Sequence, residues 1–184
     1  MQITIIKKQM EQVEIQLSKS KLTLMTIGSC AFVIIGTWFV INPSRFLSFI
    51  CRSTTIIFVS GLSSILFFGF VWFYLFKKLF DKKPGLIISN KGIVDNSGGL
   101  SAGFIPWSEV KEIKETIIAN QKFISVIVKN PQHYIDRQST KFKRWLMERN
   151  YKWFGSAIGI SANGLKYNFD ELKLLIQTWF KQNR

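Results

Sequence analysis

Histidine occurs once in this chain and cysteine twice, which removes most of the side chains on which metal and redox chemistry depend. Cys30 and Cys51 show no C-x-x-C spacing and have no histidine nearby, so neither a metal site nor a redox pair is expected. His133 follows Pro131 in a turn-like stretch and reads as a surface or packing residue. Asp136, Asp170 and Glu171 do not pair at a spacing useful for acid–base work, and the last two suit the start of a helix. No G-x-S-x-G, H-E-x-x-H or G-x-G-x-x-G occurs, and the Ser97–Gly103 stretch lacks the Lys-Ser/Thr ending of a phosphate-binding loop. Without convergent titratable groups, no catalytic residue, metal ligand or cofactor site is expected, and the chain does not read as an enzyme.

A second absence is local. Residues 22–76 contain no Asp, Glu or Lys, and only Arg45 and Arg52 carry charge. Two apolar runs fill this block, residues 22–41 and 54–76. At about 1.5 Å per residue they reach about 30 and 34 Å, enough to cross a hydrocarbon core. Apolar all round, they would be poor surface helices of a soluble protein. The first run starts too late and is too long for a secretory leader, so no cleavage is expected. Trp38, Trp72 and Tyr74 suit interfacial aromatic belts. The connection, residues 42–53, is short and contains Pro43, which makes the spans antiparallel neighbours.

Flanking charge orients them. Lys7, Lys8, Lys19 and Lys21 precede the first span, Lys77, Lys78, Lys82 and Lys83 follow the second, and the loop holds two arginines. The positive-inside rule then predicts a multi-pass membrane protein with both termini cytoplasmic. Gly28 and Gly36 fall on one side of the first span and Gly61 and Gly69 on one side of the second. Small residues at such spacings allow close helix approach, within this hairpin or between copies in a homo-oligomer. The organisation expected is a strand and basic flank at 1–21, a transmembrane hairpin at 22–76 and a soluble domain at 77–184.

After the second span the hydrophobic period changes to that of strands. Residues 86–89 and 92–95 read as a hairpin turning at Asn90-Lys91-Gly92. The pattern Ile88-Ser89, two residues, Gly92-Ile93 returns as Ile160-Ser161, two residues, Gly164-Leu165, and reads as a second hairpin. Between them, residues 103–113, 115–120 and 122–129 are rich in β-branched and aromatic residues, with a turn expected at Asn120-Gln121. Trp107 reads as aromatic core. A helix is expected over 138–151, with Phe142, Trp145 and Leu146 packed on the domain and Lys141, Lys143, Arg144, Arg149 and Lys152 partly facing water. A last helix is capped by Asn168, with Glu171 three residues on, and presents Leu172, Leu175, Ile176, Trp179 and Phe180 as one stripe. Ahead of the membrane, Val13, Ile15 and Leu17 alternate with polar residues, and this strand can join the sheet because both ends of the hairpin emerge together. The fold class expected is a membrane α-helical hairpin plus an α+β domain, a bent antiparallel sheet capped by a C-terminal helix on a pleckstrin-homology-like plan.

The segments Ile15-Gln16-Leu17-Ser18-Lys19-Ser20-Lys21, Gly85-Leu86-Ile87-Ile88, Gly92-Ile93-Val94-Asp95, Gly103-Phe104-Ile105-Pro106-Trp107 and Ile160-Ser161-Ala162-Asn163-Gly164-Leu165 carry a resemblance over nearly the whole chain. The sequence resembles a family of small bacterial two-span inner-membrane proteins of unknown function with a pleckstrin-homology-like cytoplasmic domain. The resemblance implies a fold and a location but no activity.

The net charge of +14 bears on partners. Residues 77–184 carry 19 basic against 9 acidic side chains, more than orientation requires, and anionic lipid head groups near the domain account for the surplus most simply. The candidate membrane- or partner-binding residues are Lys77, Lys78, Lys82, Lys83, Lys141, Lys143, Arg144, Arg149 and Lys152. The favoured function is a membrane-tethered interaction module. The alternative is a membrane-anchored immunity protein that neutralises a delivered, acidic toxin. Nucleic acid is the least favoured partner, because the aromatics of 141–152 are spaced like a core face and its charges like a solvated one.

Overall fold

The computed structural model describes residues 12–48 and 52–184; Lys7, Lys8 and Cys51 lie outside the described residues. Two compact units result. One comprises residues 19–82, the other the described residues up to 18 together with 83–184.

The first unit is a helical hairpin. Helix α1 (Lys19–Ile41) and helix α2 (Thr54–Leu79) are linked through a 3-10 turn at Pro43–Phe46. Few of their residues are buried: Leu22, Thr26, Ser29 and Gly36 in α1, and Ile57, Gly61 and Lys78 in α2. A core helix of a soluble protein would be mostly buried, so these two are long, apolar and exposed enough to span a membrane. Gly36 and Gly61 make the crossing. A Cβ on Gly36 would lie 2.9 Å from the Gly61 carbonyl oxygen, and one on Gly61 would lie 2.6 Å from that of Gly36. Beside this contact Ser64 Oγ donates to the Phe32 carbonyl at 3.0 Å, and the rings of Phe32 and Phe68 stack at 4.3 Å. Gly28 and Gly69 meet nothing. Small-residue packing inside the hairpin thus rests on one glycine from each helix, not on two.

The same unit uses its basic flank structurally. Lys19 Nζ donates to the carbonyls of Leu79 and Asp81 at 2.6 and 2.7 Å. A cation there satisfies acceptors that the end of α2 leaves without helical partners and suits the negative end of the helix dipole.

In the second unit seven antiparallel strands form two sheets rather than one continuous bent sheet. The first has the order β1-β2-β3-β4, from β1 (Gln12–Ile15), β2 (Leu86–Ser89), β3 (Gly92–Asp95) and β4 (Gly103–Pro106). The second is β5 (Val110–Ile118), β6 (Gln121–Val128) and β7 (Ile158–Ile160), in that order. A 3-10 turn at Trp107–Glu109 carries the chain from one to the other. It is anchored by Trp107, 2% exposed, whose indole Nε1 donates to the Ser89 carbonyl at 2.7 Å. Trp107 is core, as expected.

Strand β1 pairs with β2 through Gln12–Ile15, and the chain then keeps pairing on its other side. Leu17 bridges Leu165, flanked by Ser18 N–H to Gly164 O at 2.8 Å and Lys166 N–H to Gln16 O at 2.9 Å. Ile15 and Leu17 are buried to 3% and 2% exposure, while Val13 is half-buried.

This pairing corrects one expectation. Residues 160–165 do not form a hairpin. Ile160 pairs with Ile124 in β6, whereas Leu165 crosses to the first sheet. The motif shared with 88–93 is therefore local turn chemistry with a different outcome: in the first copy Ile88 and Ile93 face each other across β2 and β3. The turn between β5 and β6 also moves by one residue. It is Ala119-Asn120, with φ of 47° and 62°, the two positive values of a type I′ hairpin. Residues 110–118 run as one strand, because Val110 to Ile118 pair continuously with β6 apart from a bulge near Lys111.

The helix expected at 138–151 is helix α4 (Lys141–Phe154), shifted three residues onward, and a short helix α3 (Pro131–Asp136) that the sequence did not suggest precedes it. Thr140 caps α4 by accepting from Lys143 N–H, and Gly155 (φ 72°) stops it. Helix α5 (Phe169–Asn183) begins as expected, with Asn168 Oδ1 accepting from Glu171 N–H at 2.8 Å. Leu172, Ile176 and Phe180 are its buried residues, and Leu175 and Trp179 flank them half-buried. Lys173 Nζ ties it to Glu115 of β5 at 2.8 Å. That hydrogen bond, aided by Lys122, holds the Glu115 carboxyl below the usual carboxylate range. Its contribution is complete above the ordinary Glu pKa and fades as pH falls through the lowered value.

The depth of Leu17 sets a prediction. Leu17→Ala should cost about 2–5 kcal/mol of sheet-domain stability, measured by denaturant unfolding of the detergent-solubilised chain. Val13→Ala, half-buried and one pair from the strand end, should cost distinctly less. Equally small losses from both would mean that residues 12–18 merely tether the domain.

Candidate surface on helix α4

Helix α4 contains five basic residues and one acid, Glu148. Its inner pole is Met147, fully buried, with Lys143, Leu146, Asn150 and Phe154 half-buried around it. At about 100° per residue the pole opposite Met147 falls between Trp145 and Arg149, with Phe142 and Trp153 on one flank and Lys152 on the other. All of these are exposed. Phe142 is 58%, Trp145 47% and Trp153 67% exposed.

The aromatics of α4 are therefore displayed, not packed on the domain, and the expectation for Phe142 and Trp145 is corrected. The reason lies in helix phase. Spacing alone marked positions 142, 145 and 146 as one apolar stripe, but the side that contacts the domain is centred on Met147. Leu146 sits at its border.

The displayed face is organised. The Phe142 and Trp145 rings stack at 6.1 Å. The Arg149 guanidinium lies 5.4 Å from the Trp145 ring centre and 5.7 Å from that of Trp153. One cation thus bridges two indoles through their faces. The other cations divide. Lys141 and Lys152 are exposed on the same side of the helix as Trp145. Arg144 is turned away, its Nε donating to the Gln138 carbonyl at 3.1 Å, and Lys143 is half-buried beside the inner face.

The juxtamembrane lysines divide as well. Lys78 is 9% exposed and ion-paired with Asp81 at 2.9 Å. It serves the end of α2 and is not an outward-facing cation. Lys77 is exposed and lies 4.6 Å from the Phe73 ring centre; Lys82 and Lys83 are exposed. His133 is exposed, edge-on to the Tyr134 ring at 5.4 Å. Tyr134 is buried and donates its hydroxyl to Glu109. Burial, and then the Glu109 carboxylate, push the Tyr134 pKa well above the usual tyrosine range; the residue is a fixed donor.

One cleft of about 350 Å³ opens beside the 97–101 loop, bounded by Phe123, Phe154 and Gly159. Asp95 is the one titratable residue in its lining. Its carboxylate already accepts from Ser97 N–H at 2.9 Å, Ser97 Oγ at 2.6 Å and Ala102 N–H at 3.2 Å, which folds the loop. Ser156, also in the lining, donates its hydroxyl toward the Val126 and Ile158 carbonyls. These polar groups maintain the backbone around the cleft, and no group of three or more His, Cys, Asp or Glu side chains gathers for a metal among the described residues.

Comparison of the chain with protein-family models, with curated proteins and with solved structures yields no match.

The sequence reading overlooked Trp153, which continues the exposed face one turn beyond Arg149. The available signal was the 142, 145, 149, 153 spacing, which sets three aromatics and one cation along one side of a helix. If these rings are displayed, Trp145→Ala and Trp153→Ala should each change unfolding stability by no more than about 0.5 kcal/mol. Met147→Ala should cost about 2–5 kcal/mol. A loss from Trp145→Ala as large as that from Met147→Ala would place the indole in the core.

Proposed function

We propose that this chain is a non-enzymatic, integral protein of a bacterial inner membrane, both termini cytoplasmic, whose sheet domain is an interaction module held at the inner leaflet. The observation that carries the reading is the α4 face: Phe142, Trp145, Arg149 and Trp153 stay exposed on a helix that hides only Met147 completely. Exposed aromatics grouped with cations are costly to solubility and mark interaction surfaces.

Supporting features are independent of that face. The lysines flank the two apolar helices while the intervening loop holds two arginines, which favours cytoplasmic termini. A four-stranded and a three-stranded antiparallel sheet with a helix at the C-terminal end suit a pleckstrin-homology-like fold, and with it membership of the two-span family that the sequence resembles.

Two measurements test the reading in cells. Single-cysteine variants at positions 48 and 90 should react with an impermeant thiol reagent at 48 alone; labelling at 90 but not at 48 would invert the topology. A photocrosslinking amino acid at position 145 should form adducts, lipid or protein. One at Leu174, 65% exposed on α5, should form few. Equal, weak crosslinking at both would remove the module reading, whereas a specific acidic protein adduct at 145 would favour the immunity alternative.

A further inference from the structure

We infer that the outer face of α4 inserts into an anionic lipid leaflet, Phe142, Trp145 and Trp153 entering the head-group boundary while Lys141, Arg149 and Lys152 bind lipid phosphates. The inference rests on the module reading above and names its partner.

Three observations select lipid. The first is composition by position. Indoles and a phenyl ring lie along one side of a single helix with cations between and beside them, the arrangement that stabilises interfacial helices: rings in the acyl boundary, charges in the phosphate layer. A surface built only for solubility would carry the cations without the rings, and a packing face would not be 47–67% exposed at its three aromatics.

The second is charge complementarity. On this side of α4 Lys141, Arg149 and Lys152 are exposed, and the helix's one acid, Glu148, is half-buried toward one edge. Arg149, held between Trp145 and Trp153, can keep its guanidinium edge for phosphate oxygens, because contact with the rings uses only its plane.

The third is covalent reach. Three residues separate β1 from α1, and six separate α2 from β2. At no more than about 3.6 Å per residue these linkers span roughly 11 and 22 Å. If α1 and α2 cross the bilayer, the domain is held within that distance of a leaflet. A weak surface affinity then acts as an intramolecular one, since tethering supplies a high effective concentration.

The test uses the full chain in nanodiscs, with Cys30 and Cys51 replaced by alanine and an environment-sensitive fluorophore on Phe142→Cys or, as control, Leu174→Cys. In discs containing phosphatidylglycerol the label at 142 should shift to shorter wavelength, resist iodide and be quenched by spin-labelled acyl chains. The label at 174 should stay wet. In pure phosphatidylcholine, or at high salt, the shift at 142 should be lost. Arg149→Gln and Lys152→Gln should each lower the inserted-to-free ratio roughly fivefold, and Trp145→Ala with Trp153→Ala should abolish insertion while the chain stays folded by circular dichroism. A label at 142 that remains open to iodide in anionic discs overturns the inference, as does equal burial in neutral discs, where the cations would have no part. Should the label stay wet while position 145 crosslinks a protein in cells, the lipid inference fails and the module reading stands. Failure of both removes both.

Discussion

Residues 12–18 are paired on two sides, and the rest of the sheet domain depends on that pairing. On one side Gln12–Ile15 extend the β2-β3-β4 sheet; on the other Leu17 meets Leu165, with hydrogen bonds from Ser18 and Lys166 on either side. The chain leaves this strand, makes the whole α1–α2 hairpin, and returns to pair β2 against it. The apolar hairpin is thus an insertion within a folded domain. The strand before it supplies two core side chains, Ile15 and Leu17. Sequence separation makes such a pairing slow to form, because a loop of more than sixty residues must close first. A hairpin that sets its two ends side by side shortens that search.

Helix α4 is held more lightly than these elements. Leu165 and α5 close the domain, with Leu172, Ile176 and Phe180 buried, while Met147 alone is fully hidden on α4. A helix anchored by so little of its circumference leaves most of its surface to other uses. Here that surface displays Phe142, Trp145 and Trp153 around Arg149. The proposed lipid contact gives these rings a place that water would not.

Reading the chain from its residues worked where a single local rule decides the outcome. The hydrocarbon-length runs, the Asn168 cap, the strand period of Val13, Ile15 and Leu17 and the hairpin at Asn90-Lys91 all reappear as elements. It failed where the outcome depends on what a segment meets. Ile160 to Leu165 looks like the hairpin at 88–93, yet its aliphatic ends go to different sheets because Leu17 is available as a partner. Phe142 and Trp145 have core spacing, and only the phase fixed by Met147 turns them outward. Lys78 looked like any juxtamembrane lysine, but Asp81, one turn on, takes it into an ion pair. Gly28 and Gly69 share the register of Gly36 and Gly61 without sharing their contact.

The claim that the first strand belongs to the domain's core is tested most directly by hydrogen exchange on the intact chain. The amides of Ser18, Gly85 and Lys166 donate to Gly164, Ile15 and Gln16, so they report the two-sided pairing residue by residue. They should exchange as slowly as the β2–β3 amides, through opening of the whole domain. Exchange of Ser18 and Lys166 as fast as the 97–101 loop, with β2 and β3 still protected, would contradict the account.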